Sequence, residues 1–366
     1  MHKYSLSLFI ILLLSLFLVT ACSSPTPSAI TNGNASSLSE TPNMSIGSFK
    51  EYALPMPGSG LMRPAIDLKG RLWFGEMSHN FLTMFDPHTG SFVQITPPHG
   101  AYSVMGVVVA ADDTVWFAEQ DANYIGHYFP DTKHFQTYAL PTLHTPDPNN
   151  AKKMLTLPSA PNDLAFDTHG NLWFTEMNAD SLGMLNTHTG TVKQYPLSST
   201  KSIQTLSPYG ITVDAQDMVW FTESTTNHIG RLDPQTGKIH LFTVAGSPTP
   251  LMEIASDAHN IIWATSFNAN LLLRLDSTTG IFTSYSAPSA TQGSGGLYGL
   301  LVTPGGEIWV TVPAENVLAH FNTHTNRFIY YPIPSPASFP FGLVMGTHRH
   351  IWFTEAGSNK IGMFQS

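Results

Sequence analysis

The spacing of tryptophan constrains this chain more than any other feature of its sequence. All seven tryptophans, Trp73, Trp116, Trp173, Trp220, Trp263, Trp309 and Trp352, hold one position of a repeating unit, with successive separations of 43, 57, 47, 43, 46 and 43 residues. The clearest copy runs from Ile211 through Trp220-Phe221-Thr222-Glu223 and Asn227-His228-Ile229-Gly230-Arg231 to Thr243. Short apolar runs alternate with turn residues in it, predicting strands at Ile211 to Asp214, Val219 to Glu223 and Ile229 to Leu232, then an outer, alternating fourth. Asp233-Pro234-Gln235-Thr236-Gly237 reads as the last hairpin, because proline presets one dihedral and glycine supplies the positive one. A unit of this length cannot bury both faces alone and must stack on its neighbours. Seven four-stranded copies therefore predict an all-β, seven-bladed β-propeller.

The two ends of the repeat fit together. The seventh unit stops after its third strand, at Phe364-Gln365-Ser366, whereas Ser48 to Pro55 reads as an isolated fourth strand. An N-terminal strand closing the last blade would hide an otherwise unpaired edge. Ahead of it, His2 and Lys3 precede an apolar stretch from Leu6 to Val19 that ends in Val19-Thr20-Ala21-Cys22. That pattern predicts a lipoprotein signal peptide over 1–21, a lipid anchor on Cys22, a flexible Ser/Thr/Pro-rich tether over 22–48 and the propeller over 49–366. The protein is accordingly expected on the extracytoplasmic face, touching the membrane through its N-terminal lipid only. Cys22 is the one cysteine, so a disulfide within the chain and a thiolate zinc site are excluded.

Charge narrows the partners. Sixteen Lys and Arg stand against 25 Asp and Glu, and no basic cluster interrupts the balance, so nucleic acid is not an expected partner. A monomer that takes a small molecule or a cell-envelope component is expected instead.

Strand direction picks the face that would receive it. In an antiparallel blade the linker leading into each first strand and the turn leaving each second strand share one face, called here the linker face. The residue pairs leading the first strands are Met62-Arg63, Met105-Gly106, Asn162-Asp163, Tyr209-Gly210, Met252-Glu253, Tyr298-Gly299 and Phe341-Gly342. They predict an axial funnel with a methionine and aromatic wall, suited to a ligand with apolar surface, or merely plugging the channel. A second ring, Glu76, Glu119, Glu176, Glu223 and Glu355, closes the Trp-Phe-x-Glu strands and is expected to face the same axis, as architecture or as ligands. Asn162, Asp163 and Glu176, with Glu223 and Glu355, are the candidate oxygen donors for Mg²⁺ or Ca²⁺. His79 and His228 follow second strands, and His228 is the candidate general base. Thr142 to Ser159 is a long loop on this face, a candidate binding element.

The repeated Pro-x-Gly-Ile lead, Trp-Phe-Thr-Glu and Asn-x-Ile-Gly-Arg resemble the virginiamycin B lyase, or streptogramin lyase, family across the whole propeller. The resemblance implies ring opening by elimination, with a divalent metal, a His base in a Glu-Pro-His-Gly loop and a nearby Trp-Phe-x-Glu carboxylate. Here the corresponding loops read Ser207-Pro208-Tyr209-Gly210, Phe339-Pro340-Phe341-Gly342 and Gly296-Leu297-Tyr298-Gly299, so only the carboxylates, chiefly Glu223 and Glu355, match. A second likeness, of Asn162-Asp163 ahead of Asp167 to Trp173, is to gluconolactonase-like propellers, which activate water on a lactone with a cation held by Glu, Asn and Asp oxygens. Two readings stay open: metal-assisted lyase or lactone hydrolase, and a non-catalytic ligand- or protein-binding propeller.

Overall fold

The computed structural model describes residues 42–100, 103–147, 150–197, 206–246, 249–288 and 296–365. Cys22, the signal peptide and most of the tether fall outside this set. Seven four-stranded antiparallel blades surround a central axis. Blade four has the strands Pro208–Val213, Val219–Glu223, His228–Leu232 and Ile239–Thr243, from axis to rim. The closing strand is Ser48–Ala53, which pairs with Lys360–Gln365 of blade seven, Ser48 opposite Gln365 and Ala53 opposite Lys360. Two additional residues, Asn43–Met44, run parallel to the outer strand Arg327–Pro332 of blade six. Paired structure thus begins inside the segment read as tether.

The two faces of the Trp-Phe-Thr-Glu strand perform different tasks. Trp and Thr face the following blade. Trp173 packs with Leu182 and with Ile211, Val219 and Phe221 of blade four. Across the closure, Trp352, Ile361 and Met363 of blade seven meet Leu61, Leu72, Phe74 and Phe85 of blade one. Burying one indole removes roughly 200 Å² from water, worth about 5 kcal/mol at most. An Asp in the preceding turn fixes the ring, as where Trp220 Nε1 donates to Asp214 at 2.7 Å and Trp173 Nε1 to Asp167 at 2.9 Å.

The first strands of blades two, three, four, five and seven are bulged at their leading pair: Pro208 pairs with Glu223, yet Ile211 pairs with Phe221, so two residues are pushed toward the axis. The threonines satisfy the backbone this frees. Gly210 N–H donates to Thr222 Oγ1 at 2.9 Å, and Thr222 Oγ1 donates to the Met252 carbonyl of the next blade at 2.6 Å. Thr175, Thr265 and Thr311 repeat both bonds, and Thr354 accepts from Gly342. Thr222→Val keeps the shape but strands a buried N–H and a buried carbonyl. It is expected to cost about 1–3 kcal/mol in urea unfolding.

Candidate functional site on the axis of the linker face

The bulges bring the leading pairs together, and their charges interact across the ring. Arg63 of blade one reaches Asp163 of blade three through Nη1, and its Nε lies 2.6 Å from both carboxylate oxygens of Glu253 of blade five. Tyr209 lies beneath the guanidinium, 5.5 Å from it to the ring centroid, and its hydroxyl bonds that of Tyr298. Tyr298 packs in turn against Phe341 at a tilt, centroids 4.6 Å apart. Met252 and Phe267 complete this packed group, with Met177 and Phe341 half-buried at its edge. Met62 and Met105 are buried in the cluster beside it.

The funnel read from the sequence is therefore closed at this level by its own side chains, Met105 being fully buried and Tyr209 and Tyr298 nearly so. Burial works against the Arg63 charge, and Asp163 and Glu253 outweigh it, so the guanidinium is held above its ordinary value. Glu253 is raised by burial and held back by Arg63. Burial pushes the Tyr209 hydroxyl up to about 12.

The five proposed metal donors are not gathered into one group, and among the described residues no three His, Asp or Glu side chains are arranged to hold an ion. Each has a local task. Asn162 Nδ2 donates to the Tyr209 carbonyl at 3.0 Å; Asp163 accepts from Ile211 N–H at 2.9 Å besides pairing with Arg63. The glutamates do not face the axis as expected, because they share the strand face of Phe and reach outward over their own blades. Glu76 accepts from Thr83 at 2.6 Å and Gln94 at 2.8 Å, Glu176 from Gln194 at 2.7 Å, and Glu355 from Ser358 at 2.7 Å. The lactonase-like motif is turn chemistry too, Asp167 being occupied by Trp173 and the turn N–H groups of His169 and Asn171.

Glu119 is the exception, since neither of its buried carboxylate oxygens has a partner among the described residues. Thr137 stands where Gln94 and Gln194 stand in other blades, pairing with Gly126, and it contacts His99 at 3.0 Å. Burial alone pushes Glu119 up to about 7. An unfolded carboxyl ionises near pH 4.5, so this group costs the fold nothing below that pH and progressively more up to pH 7. Glu119→Gln should raise the melting temperature at pH 8 and leave it unchanged at pH 4.

His228 opens the third strand of blade four, away from the axial group. Its Nδ1 lies 3.1 Å from Glu223 Oε2, which also accepts from Thr226 at 2.5 Å. Glu223 is fully buried and the imidazole is 28% exposed, so the carboxylate orients a ring that solvent reaches. His79 repeats the arrangement more loosely, 3.4 Å from Glu76. The long loop is a β-hairpin, Leu143–Asp147 with Asn150–Leu157, rooted where Ser159 N–H donates to Asn123 Oδ1 at 2.7 Å. Sequence reasoning found the axial residues one by one and missed the Arg63 clasp and the threonine ladder. The recurrent Thr after Trp-Phe was the available signal for the ladder.

Comparison with known proteins supports the fold and the family. A streptogramin B lyase structure matches with a TM-score of 0.75 at 25% identity, covering 87% of this chain and 97% of that one. A catalytically inactive virginiamycin B lyase from Staphylococcus aureus with quinupristin matches with a TM-score of 0.75 at 24% identity, covering 87% and 99%. The extracellular domain of a hybrid two component system from B. thetaiotaomicron shares the fold at 14% identity with a TM-score of 0.66, covering 87% of this chain and 39% of that one. No curated protein sequence matches. The family model described as "Virginiamycin B lyase family" matches residues 147–366, more than half of the chain, and the chain belongs to that family.

Proposed function

We propose that this protein is a lipid-anchored, extracytoplasmic propeller that binds a compact, partly aromatic small molecule over the axis of its linker face, without opening it. One observation carries the reading. The axis presents half-buried Phe341, Met177 and Arg63 over a floor of buried Tyr298, Tyr209 and Met252. An adaptable rim of Phe341 and Met177 beside the ion-paired Arg63, on a packed floor of tyrosine and methionine, suits recognition of hydrophobic surface. The lipoprotein reading rests on the apolar N-terminal stretch and Val19-Thr20-Ala21-Cys22. Among the described residues no three His, Asp or Glu side chains are arranged to hold an ion, and the proposal requires none.

Quinupristin, which the inactive virginiamycin B lyase carries, is the natural probe. Calorimetric titration into the propeller should give saturable binding, weakened about tenfold or more by Phe341→Ala, as expected for losing a central aromatic contact. Absent binding, or binding indifferent to Phe341, would refute the axial site. The Glu223–His228 pair favours a second reading, in which His228 is a general base for elimination or lactone opening. His228→Asn abolishing a turnover of quinupristin or of a lactone would favour that reading over simple binding.

A further inference from the structure

We propose that the propeller's other face, which carries the hairpin turns, rests toward the lipid bilayer, leaving the linker face directed away from the membrane. This rests on the lipid-anchor reading above. The register of the closing strand carries it. Third strands end on the turn face, so Ser48, opposite Gln365, starts on that face, and Ala53, opposite Lys360, finishes on the linker face. The chain before it is fixed as well. Asn43 pairs with Ile329 and Met44 with Tyr330 in parallel, Ser45 N–H donates to the Tyr330 carbonyl at 2.8 Å, and Gly47 sits against the Phe364 ring. Because Arg327–Pro332 starts on the turn face and Asn43–Met44 runs parallel to it, the described chain enters Asn43 from that side.

The same face exposes large apolar side chains where a polar surface would be ordinary. Leu68 at the first turn of blade one is 79% exposed and Ile281 at the last hairpin of blade five is 63% exposed, while Ile46, 99% exposed, lies at the rim between the outer strands of blades six and seven. Isolated exposed apolar residues are unremarkable. Two on the face from which the described chain enters give it apolar points that a bilayer can take up.

The test uses the full-length lipoprotein in vesicles whose headgroups carry a fluorescence quencher. Fluorophores are attached through Leu68→Cys, Ile281→Cys and, on the linker-face hairpin, Met154→Cys, itself 56% exposed. Cys22 is blocked by its lipid. Quenching at Leu68 and Ile281 several-fold above that at Met154 is the expected result; equal quenching, or more at Met154, overturns the orientation. Cys22→Ser should release the protein from the vesicles. Retention of that variant would overturn the anchor reading, and the orientation with it, whatever the quenching pattern.

Discussion

Replacing Gly75 by threonine is expected to destabilise the ring by about 3 kcal/mol or more, although it converts Trp73-Phe74-Gly75-Glu76 into the sequence that other blades carry. A substitution toward a repeat's common residue ordinarily stabilises. Here blades one and two approach too closely. A Cβ at Gly75 would lie 2.1 Å from the Val104 carbonyl oxygen and 2.7 Å from its carbon, both backbone atoms that cannot swing aside. The threonine could not form the bridge that Thr222 forms between blades four and five. Urea unfolding should show a lower midpoint, and Gly75→Ala should share most of the loss because the clash lies at Cβ.

Arg63→Met is the second large effect. The variant leaves Asp163 and Glu253 buried on the axis without their cation, and removing one partner from a buried ionic group typically costs about 3–5 kcal/mol. The origin of the loss is diagnostic. If it comes from uncompensated charge, adding Asp163→Asn and Glu253→Gln should restore most of the stability, because the site is then apolar and amide-lined. If it comes from lost packing of the Arg63 stem over Tyr209, the triple variant should remain as unstable as the single one. Thermal unfolding of the three proteins at pH 8 separates the two. Wild-type Glu253 is already raised by burial, so the single variant should lose less at pH 5, where its carboxyl takes up a proton more readily.

These expectations indicate what was legible in the sequence. Period and turn chemistry are local, so Trp220-Phe221-Thr222-Glu223 predicted its strand, and Ser48 to Pro55 could be recognised as the strand missing from blade seven. Position on the linker face was also legible, since strand direction alone decides it. Which side chains meet there was not. Arg63 and Glu253 are 190 residues apart and touch only because the leading residues of alternate blades converge on one axis. Asn162 and Asp163 read as free oxygen donors because nothing local betrays their partners in the next blade, the Tyr209 carbonyl and the Ile211 N–H. The glutamate ring was misdirected for a simpler reason. Its axial exposure was inferred from position along the strand, while the alternation that puts Glu on the side of Phe, over its own blade, was left out.

Under the proposed function, the axial site recognises its ligand without converting it. The most direct test is chromatography of quinupristin after prolonged incubation with the protein and Mg²⁺. Elimination leaves the mass of the compound unchanged, so retention time, rather than mass, reports ring opening. The cyclic compound should be recovered intact at a retention identical to that of a protein-free control. Accumulation of the linear product, abolished in His228→Asn, would contradict that reading and make the Glu223–His228 pair the centre of an enzyme.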